Sequence, residues 1–287
     1  AGFIGSHLVN RLVNDGHDVG VIDNLSTGKK ENINPKVKFY RLDVTQMRRP
    51  TDSFMFTDVD IVFHLAAFPR VEPSIKEPMF AHEVNVNGTL NVLNASRKHN
   101  VKRFIFTSTS AVYGDAVVPT TEKTELNPMS PYALHKLIGE QYCKLFSELY
   151  DLETTCLRYS NAYGEGQPTE GAYCNVMGIF TQQKQKGKKL TIVGDGEQRR
   201  DFVYIDDIVD ANIKCMNYSS KLKGDIFNIG YGKKAIKINY KEICKKQFYK
   251  SVTVLRKSIS AMQSALRTDK PEQIDAIEEE VIELREQ

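Results

Sequence analysis

The run Ser130-Pro131-Tyr132-Ala133-Leu134-His135-Lys136 places a phenol and an ammonium four residues apart. Ser130 suits a helix cap and Pro131 a first helical turn, so Tyr132 and Lys136 are expected one turn apart on one face. A tyrosine titrates near pH 10 in water and is a poor base at neutral pH. Positive charges beside it favour the phenolate. Lowering its pKa by about three units corresponds to roughly 4 kcal/mol, within reach of two close cations in a partly dry site. An exposed Tyr/Lys pair satisfies an isolated Tyr-x-x-x-Lys equally well. What separates the two readings is "TSTSAVYG" at 107–114, a hydroxyl-rich strand end with Thr109 placed to hydrogen-bond the same reacting oxygen.

A second group of residues concerns phosphate and ribose. Gly2-Phe3-Ile4-Gly5 reads as the last part of a glycine-rich turn in which helix N–H groups face a pyrophosphate. Two glycines three apart are a weak signal alone. Asp23, ending the next strand in "VIDN", strengthens it, because a carboxylate there is spaced to bind an adenosine ribose. An acid at that place favours NAD over NADP, since a 2′-phosphate would be repelled; the competing role for Asp23 is a turn cap. Asp43, at the end of "RLDV", can accept from an adenine amino group or serve as a turn residue. His64, on an apolar strand, reads as a core histidine rather than a base.

These residues need a scaffold. Apolar, β-branched runs at 17–24, 37–44, 60–67, 103–110 and 154–159 read as buried strands, with helical patterns at 6–15, 80–99 and 131–149 between them. Such alternation predicts an α/β protein, a doubly wound parallel sheet with helices on both faces and ligands at the carboxyl ends of the strands. Residues 1–165 are expected to form an NAD-binding domain. Residues 166–250 read as a smaller substrate lobe with segments returning to it. Residues 251–287 read as a divergent tail of two amphipathic helices broken around Asp269–Pro271.

At 287 residues the chain can bury a sizeable core. It is 41% hydrophobic and 26% charged, a globular balance, with no apolar run near the roughly 18 residues of a membrane span. The net charge of +3 and the absence of a basic block argue against nucleic acid. Five scattered cysteines without a CxxC pair suggest reduced thiols, with neither a disulfide framework nor a metal site. A cytoplasmic enzyme is the expectation.

In order along the chain, "AGFIGSHLVNRL", "VIDNLSTG", "VFHLAAFPRVEPSI", "NVNGTLNVLNASRKHNVKRFIFTSTSAVYGD", "SPYALHKLIGEQ", "LRYSNAYG" and "GDGEQRRDFVYIDDIVDAN" resemble the extended short-chain dehydrogenase/reductases acting on nucleotide sugars. The likeness is greatest to the UDP-glucose 4-epimerase-like, NAD-dependent epimerase/dehydratase group, and runs from residue 1 to about 248. The resemblance implies a Rossmann domain, NAD as cofactor, a UDP-sugar substrate, and a homodimer through 80–99 and 131–149. It implies Tyr132 as general base and acid, Lys136 on the nicotinamide ribose, lowering the tyrosine pKa, and Thr109 as proton relay. Phe3, Ile4, Asp23, Asn24, Asp43, Val44, Leu65, Ala66, Ala67, Asn85 and Ser160 match NAD-contacting positions. For Asn85 and Ser160 a structural role competes. Asn161, Asn175, Thr191 and Arg200 match positions that hold the UDP-sugar, with Arg200 on a phosphate oxygen.

In the related 4,6-dehydratases the relay threonine is followed by Asp-Glu, acid and base for eliminating water; here Ser110-Ala111 stands in their place. That points to epimerisation at C4 of a UDP-hexose. Decarboxylation or epimerisation of UDP-glucuronate, and epimerisation of N-acetylated UDP-hexoses, stay open because pocket volume decides them. The first strand and first glycine of TGxxGxxG do not appear in the sequence, so about ten further residues are expected ahead of Ala1. An RPGD-like stretch is also missing from 250–287, where Arg256 and Arg267 are poorly spaced substitutes. An inactive NAD-binding scaffold is therefore the second reading.

Overall fold

In the computed structural model, residues 1–47, 50–170, 174–192 and 200–231 are described. Helix α1 (Phe3–Asn14) turns into strand β1 (Gly20–Asp23), which pairs in parallel with β2 (Lys38–Arg41), setting Asp23 opposite Arg41. Strand β3 (Ile61–His64) is followed by the short helices α2 (Val71–Lys76) and α3 (Pro78–His82). A π-helical segment over Glu83–Gly88 then leads into α4 (Thr89–Lys98). Next come β4 (Arg103–Thr109), α5 (Pro131–Tyr150) and β5 (Glu153–Tyr159). The remaining elements are β6 (Asn161–Tyr163), α6 (Val176–Gln185), β7 (Phe202–Tyr204), α7 (Ile205–Met216) and β8 (Lys223–Ile229).

Strands β3, β4, β5 and β8 form one parallel ladder in that order, and β6 pairs in parallel with β7. The fold is a parallel-sheet α/β, Rossmann-type fold. Alternation along β4 explains the two cores. Phe104 and Phe106 join one cluster with Val92, Leu93, Cys143 and Phe146, while Ile105 joins another with Leu8, Leu12, Val203 and Ile208. Helix α5 lies close over β4 because residue 139 is glycine: a Cβ there would come 2.4 Å from the Phe106 ring. That close approach brings the start of α5 to the carboxyl end of β4, where the candidate site lies.

The backbone divides into two units. The first holds Ala1–Gly178 and returns from Asp201 through the described residues to 231; the second begins at Ile179 and, among the described residues, holds 179–192 and Arg200. Strands β7 and β8 and helix α7 belong with the first unit. Residues 232–287, with the expected tail helices around Asp269–Pro271 and with Arg256 and Arg267, lie outside the described residues. No described helix is long and apolar enough to cross a membrane. No group of three His, Cys, Asp or Glu residues among the described residues could hold a metal ion.

Candidate active site

Local capping builds the site. Ser130 is the N-cap of α5, its Oγ accepting from Ala133 N at 3.2 Å, with Pro131 in the first turn. Thr109 closes β4 and caps the short 3-10 turn Ser110–Tyr113, its Oγ1 accepting from Ala111 N at 3.2 Å. The Tyr132 phenol reaches the Thr109 side chain, and Lys136, one turn on, donates from Nζ to the Thr107 carbonyl at 2.8 Å. Four helical residues rise about 6 Å and two strand residues about 6.6 Å, so the helix and the strand keep step. A further turn on, Glu140 accepts from Ser108 Oγ. Residues 132 and 136 therefore follow β4 down from its carboxyl end, and Glu140 reaches back to Ser108.

Electrostatics along this wall are set by burial. Burial pushes the Tyr132 phenol above its ordinary value of 10, while the Thr109 side chain and the positive charge of Arg70 pull it back. Lys136 is 2% exposed, and burial lowers its pKa to about 8, against the opposing pull of Cys143, Cys156 and Glu140. Its ammonium lies 4.8 Å from the centre of the Phe106 ring as well as on the Thr107 carbonyl. A buried ammonium takes the acceptors nearest to it. In this structure Lys136 is held on the Thr107 carbonyl, and the charge of Arg70 opposes the effect of burial on the phenol. His64 is buried, shares a hydrogen bond of 3.0 Å with Thr89 Oγ1, stacks on Phe106, and is held down to about 3 by burial and the charge of Lys136. It is a core histidine.

At the other end of the first unit, Gly2 is the N-cap of α1 with no side chain capping it, and a Cβ at Gly2 or Gly5 would meet nothing within 4 Å. Phe3 stands edge-on to His7, and Ile4 packs on the core cluster of Leu8. Asp23 accepts from Leu25 N at 2.7 Å and lies 3.0 Å from the Ala1 nitrogen. Asn24 donates to Asp43 at 2.7 Å, and Asp43 also accepts from the backbone N and the hydroxyl of Thr45. Burial alone would raise Asp43, but these three donors outweigh it and its pKa falls below 3.8. Val44 is in the core, with its carbonyl accepting from Asn91.

Leu65, Ala66 and Ala67 follow β3 directly and are half-buried. Asn85 grips the next residue at two points: its Oδ1 accepts from Phe68 N at 2.7 Å and its Nδ2 donates to Phe68 O at 3.0 Å. Ser160 donates to Asp201 Oδ2, and Asn161 donates to the Asp201 carbonyl. Asn175 Nδ2 donates to the Ala162 carbonyl, and its Oδ1 accepts from Gly178 N. Thr191 and Arg200 belong to the second unit, where Gln183 clamps Thr191 through both its backbone N and its hydroxyl.

The sequence reading missed the residues that hold this wall from behind. Ser74 Oγ accepts from Tyr132 N at 3.0 Å, pinning the first turn of α5 to α2. Glu140 and Arg158, each with a side chain 1% exposed, form a two-point ion pair, and Arg158 also donates to the Tyr113 hydroxyl at 2.7 Å. Tyr113 in turn donates to Asn228 on β8. A signal existed for Glu140, eight residues beyond Tyr132 on the same helix stripe; no local pattern announces Ser74 or Arg158.

Compared with known proteins, residues 1–230 match the model of the NAD dependent epimerase/dehydratase family. A UDP-glucose 4-epimerase of Mycolicibacterium smegmatis is 37% identical over 239 residues, covering 81% of this chain and 75% of its own. The crystal structure of a Thermotoga maritima UDP-glucose 4-epimerase with UDP-glucose superposes with a TM-score of 0.76 at 41% identity, over 80% of this chain and 74% of the other. A UDP-N-acetylglucosamine 4-epimerase of Methanobrevibacter ruminantium, in complex with UDP-N-acetylmuramic acid, gives 0.79 at 36% identity, over 89% and 79%.

Proposed function

This chain belongs to the NAD dependent epimerase/dehydratase family, and we propose that within it the chain inverts C4 of a UDP-hexose through a 4-keto sugar. The observation that supports this most is the meeting of Thr109 and Tyr132 at the carboxyl end of β4, where nucleotide ligands of parallel sheets bind.

The residues present fit NAD. The start of α1 offers uncapped helix N–H groups beside glycines with open space over them, as a pyrophosphate requires. Asp23 ends β1 with a carboxylate for the adenosine ribose, and Asp43 offers one near the adenine. When bound, NAD supplies a hydride acceptor and donor for C4. Tyr132 takes the proton from O4 as C4 is oxidised and returns it as C4 is reduced; Thr109 passes that proton and orients the oxygen. Lys136 would hold the nicotinamide ribose. Asn161, Asn175, Thr191 and Arg200 hold the UDP-sugar in this reading. Ser110 and Ala111, following Thr109, offer neither the acid nor the base that elimination of water requires.

A homodimer through residues 80–99 and 131–149 is part of the same reading, supported by the exposed Phe80, Leu134, Leu145 and Leu149 on those stretches. Sedimentation at several concentrations checks it, a dimer being expected and a monomer throughout contradicting it. For the activity, the chain is incubated with NAD and, separately, UDP-glucose, UDP-N-acetylglucosamine and UDP-glucuronate, and the products are separated by chromatography. The C4 epimer of at least one is expected. Loss of carbon dioxide or of water without epimer, or no product at all, contradicts the proposal.

A further inference from the structure

Helix α5 rests on β4 through a smooth contact. Gly139 lies against the Phe106 ring, and Cys143 and Phe146 continue the apolar face. Apolar burial is non-directional, so such a face sets how close the helix lies and leaves its register along the strand open. A slip by the rise of one helical residue, about 1.5 Å, exceeds what a hydrogen bond tolerates. Glu140, one residue beyond the glycine, supplies the missing direction. Its Oε1 accepts from Ser108 Oγ on β4 and from Arg158 Nε on β5 at 2.8 Å, and its Oε2 accepts from a terminal Arg158 nitrogen at 2.6 Å. The other terminal nitrogen donates to the Tyr113 hydroxyl at 2.7 Å. Tyr113 donates in turn to Asn228 on β8, whose backbone N donates to Glu122 at 2.8 Å. Ser108, Glu140, Arg158 and Tyr113 are each no more than 3% exposed.

A buried ion pair adds little stability over apolar side chains of the same volume, because desolvating two charges offsets their attraction. What the pair supplies and an apolar pair does not is a set of directional bonds. We propose that Glu140 and Arg158 are positioning residues for the proton transfer: their forked ion pair, bonded to Ser108, fixes the register of α5 on β4 and so the place of Tyr132 and Lys136 at the end of the strand. The inference rests on the proposed C4 chemistry, in which Tyr132 is the proton acceptor. Both residues act through the helix that carries Tyr132. The other anchors of α5 do a different job. Ser74 ties its first turn to α2, and Thr154 of β5 donates to the Cys143 carbonyl at 2.7 Å, nearer the far end of the helix. Glu140 alone of these joins α5 to β4 and β5 at one point. A misplacement of about 1 Å at a reacting group is enough to cost about 100-fold in rate.

The test uses the full chain with NAD and three variants. Glu140→Leu with Arg158→Met keeps the core filled and removes the pair; Ser108→Ala cuts only the bond from Glu140 to β4; Thr154→Val loosens the helix elsewhere. Three quantities are followed: the urea midpoint, kcat and KM with whichever of UDP-glucose, UDP-N-acetylglucosamine and UDP-glucuronate is converted, and the phenolate absorbance of each protein minus that of its Tyr132→Phe counterpart. The absorbance reads the ionisation of Tyr132 whether or not a sugar turns over, so failure of the functional reading is told apart from failure of this one. The double variant is expected to keep a urea midpoint close to the wild type. Its kcat should fall about 10–100-fold with KM little changed, and its Tyr132 midpoint should rise by about half a unit or more as the phenol loses Thr109. Ser108→Ala is expected to lower kcat about three- to tenfold, the weight of one hydrogen bond. Thr154→Val should keep the wild-type kcat and Tyr132 midpoint. Wild-type kcat and Tyr132 midpoint in both the double variant and Ser108→Ala, or an equal fall of kcat in Thr154→Val, would overturn the proposal.

Discussion

The wall formed by β3, β4, α5 and β5 and the edge formed by α1, β1 and β2 solve opposite problems. On the wall, Lys136, Glu140, Arg158 and His64 are all nearly inaccessible to water, and each is matched by a partner from a distant part of the chain. At the edge, Asp23, Asn24 and Asp43 are half-buried, and most of their partners lie within two residues. Burial dominates the titration of the wall, raising Tyr132 and lowering Lys136 and His64. Local donors dominate at the edge, lowering Asp43. A proton-transfer group needs a dry, rigid surround, whereas a carboxylate that binds a ribose needs only to be held and left open.

The contrast is broken most forcefully at the Arg158–Glu140 pair. Arg158→Met strands a buried carboxylate and is expected to cost about 3–5 kcal/mol in urea unfolding, whereas Glu140→Leu with Arg158→Met together recover most of it. A single variant as stable as the wild type would show that the pair is not a working ion pair.

His64 gives the next largest effect. Its pKa is lower in the folded protein (about 3) than in the unfolded chain (about 6.5), so between these values only the unfolded state binds the proton. Stability is therefore expected to fall as pH drops from about 6.5 toward 3. His64→Gln, which stays neutral and can keep the bond to Thr89, should lose several kcal/mol less over that range. Parallel stability curves for the two proteins would contradict the buried, neutral state.

Lys136 has the same sign in a higher window. With its pKa lowered to about 8, stability rises between pH 8 and 10.5, and the buried ammonium costs about 3 kcal/mol at pH 7. Lys136→Met should be more stable than the wild type at pH 7, with the gap closing by pH 10.5; a gap that does not vary with pH would place the ammonium in water. The edge gives the smallest effect. Asp43→Asn is expected to cost about 1 kcal/mol at pH 7, a cost that disappears as pH falls below the ordinary carboxylate range. A loss as large as that of Arg158→Met would erase the distinction between the two regions.

The same contrast explains what could be read from the sequence. Ser130, Tyr132 and Lys136 were legible because a helix places neighbours three and four residues apart, and Thr109 because it ends the adjoining strand. Asp23 was legible for its place at the end of β1. The direction of the Lys136 ammonium was not, since it depends on which acceptor of β4 is nearest. Nor was Asn85 as a clamp on Phe68, 17 residues away, or Ser74 as the anchor of Tyr132, 58 residues away. Such partners are chosen by the packing of α2 and α5, and no periodic pattern records that choice.

The account depends above all on Tyr132 as the proton acceptor of a C4 oxidation. The most direct measurement is the rate of conversion of the accepted UDP-sugar to its C4 epimer by the wild type and by Tyr132→Phe, at equal NAD content. A fall of about 10²–10⁴-fold in the variant, with NAD still bound, is the predicted result. Equal rates in the two proteins would contradict it.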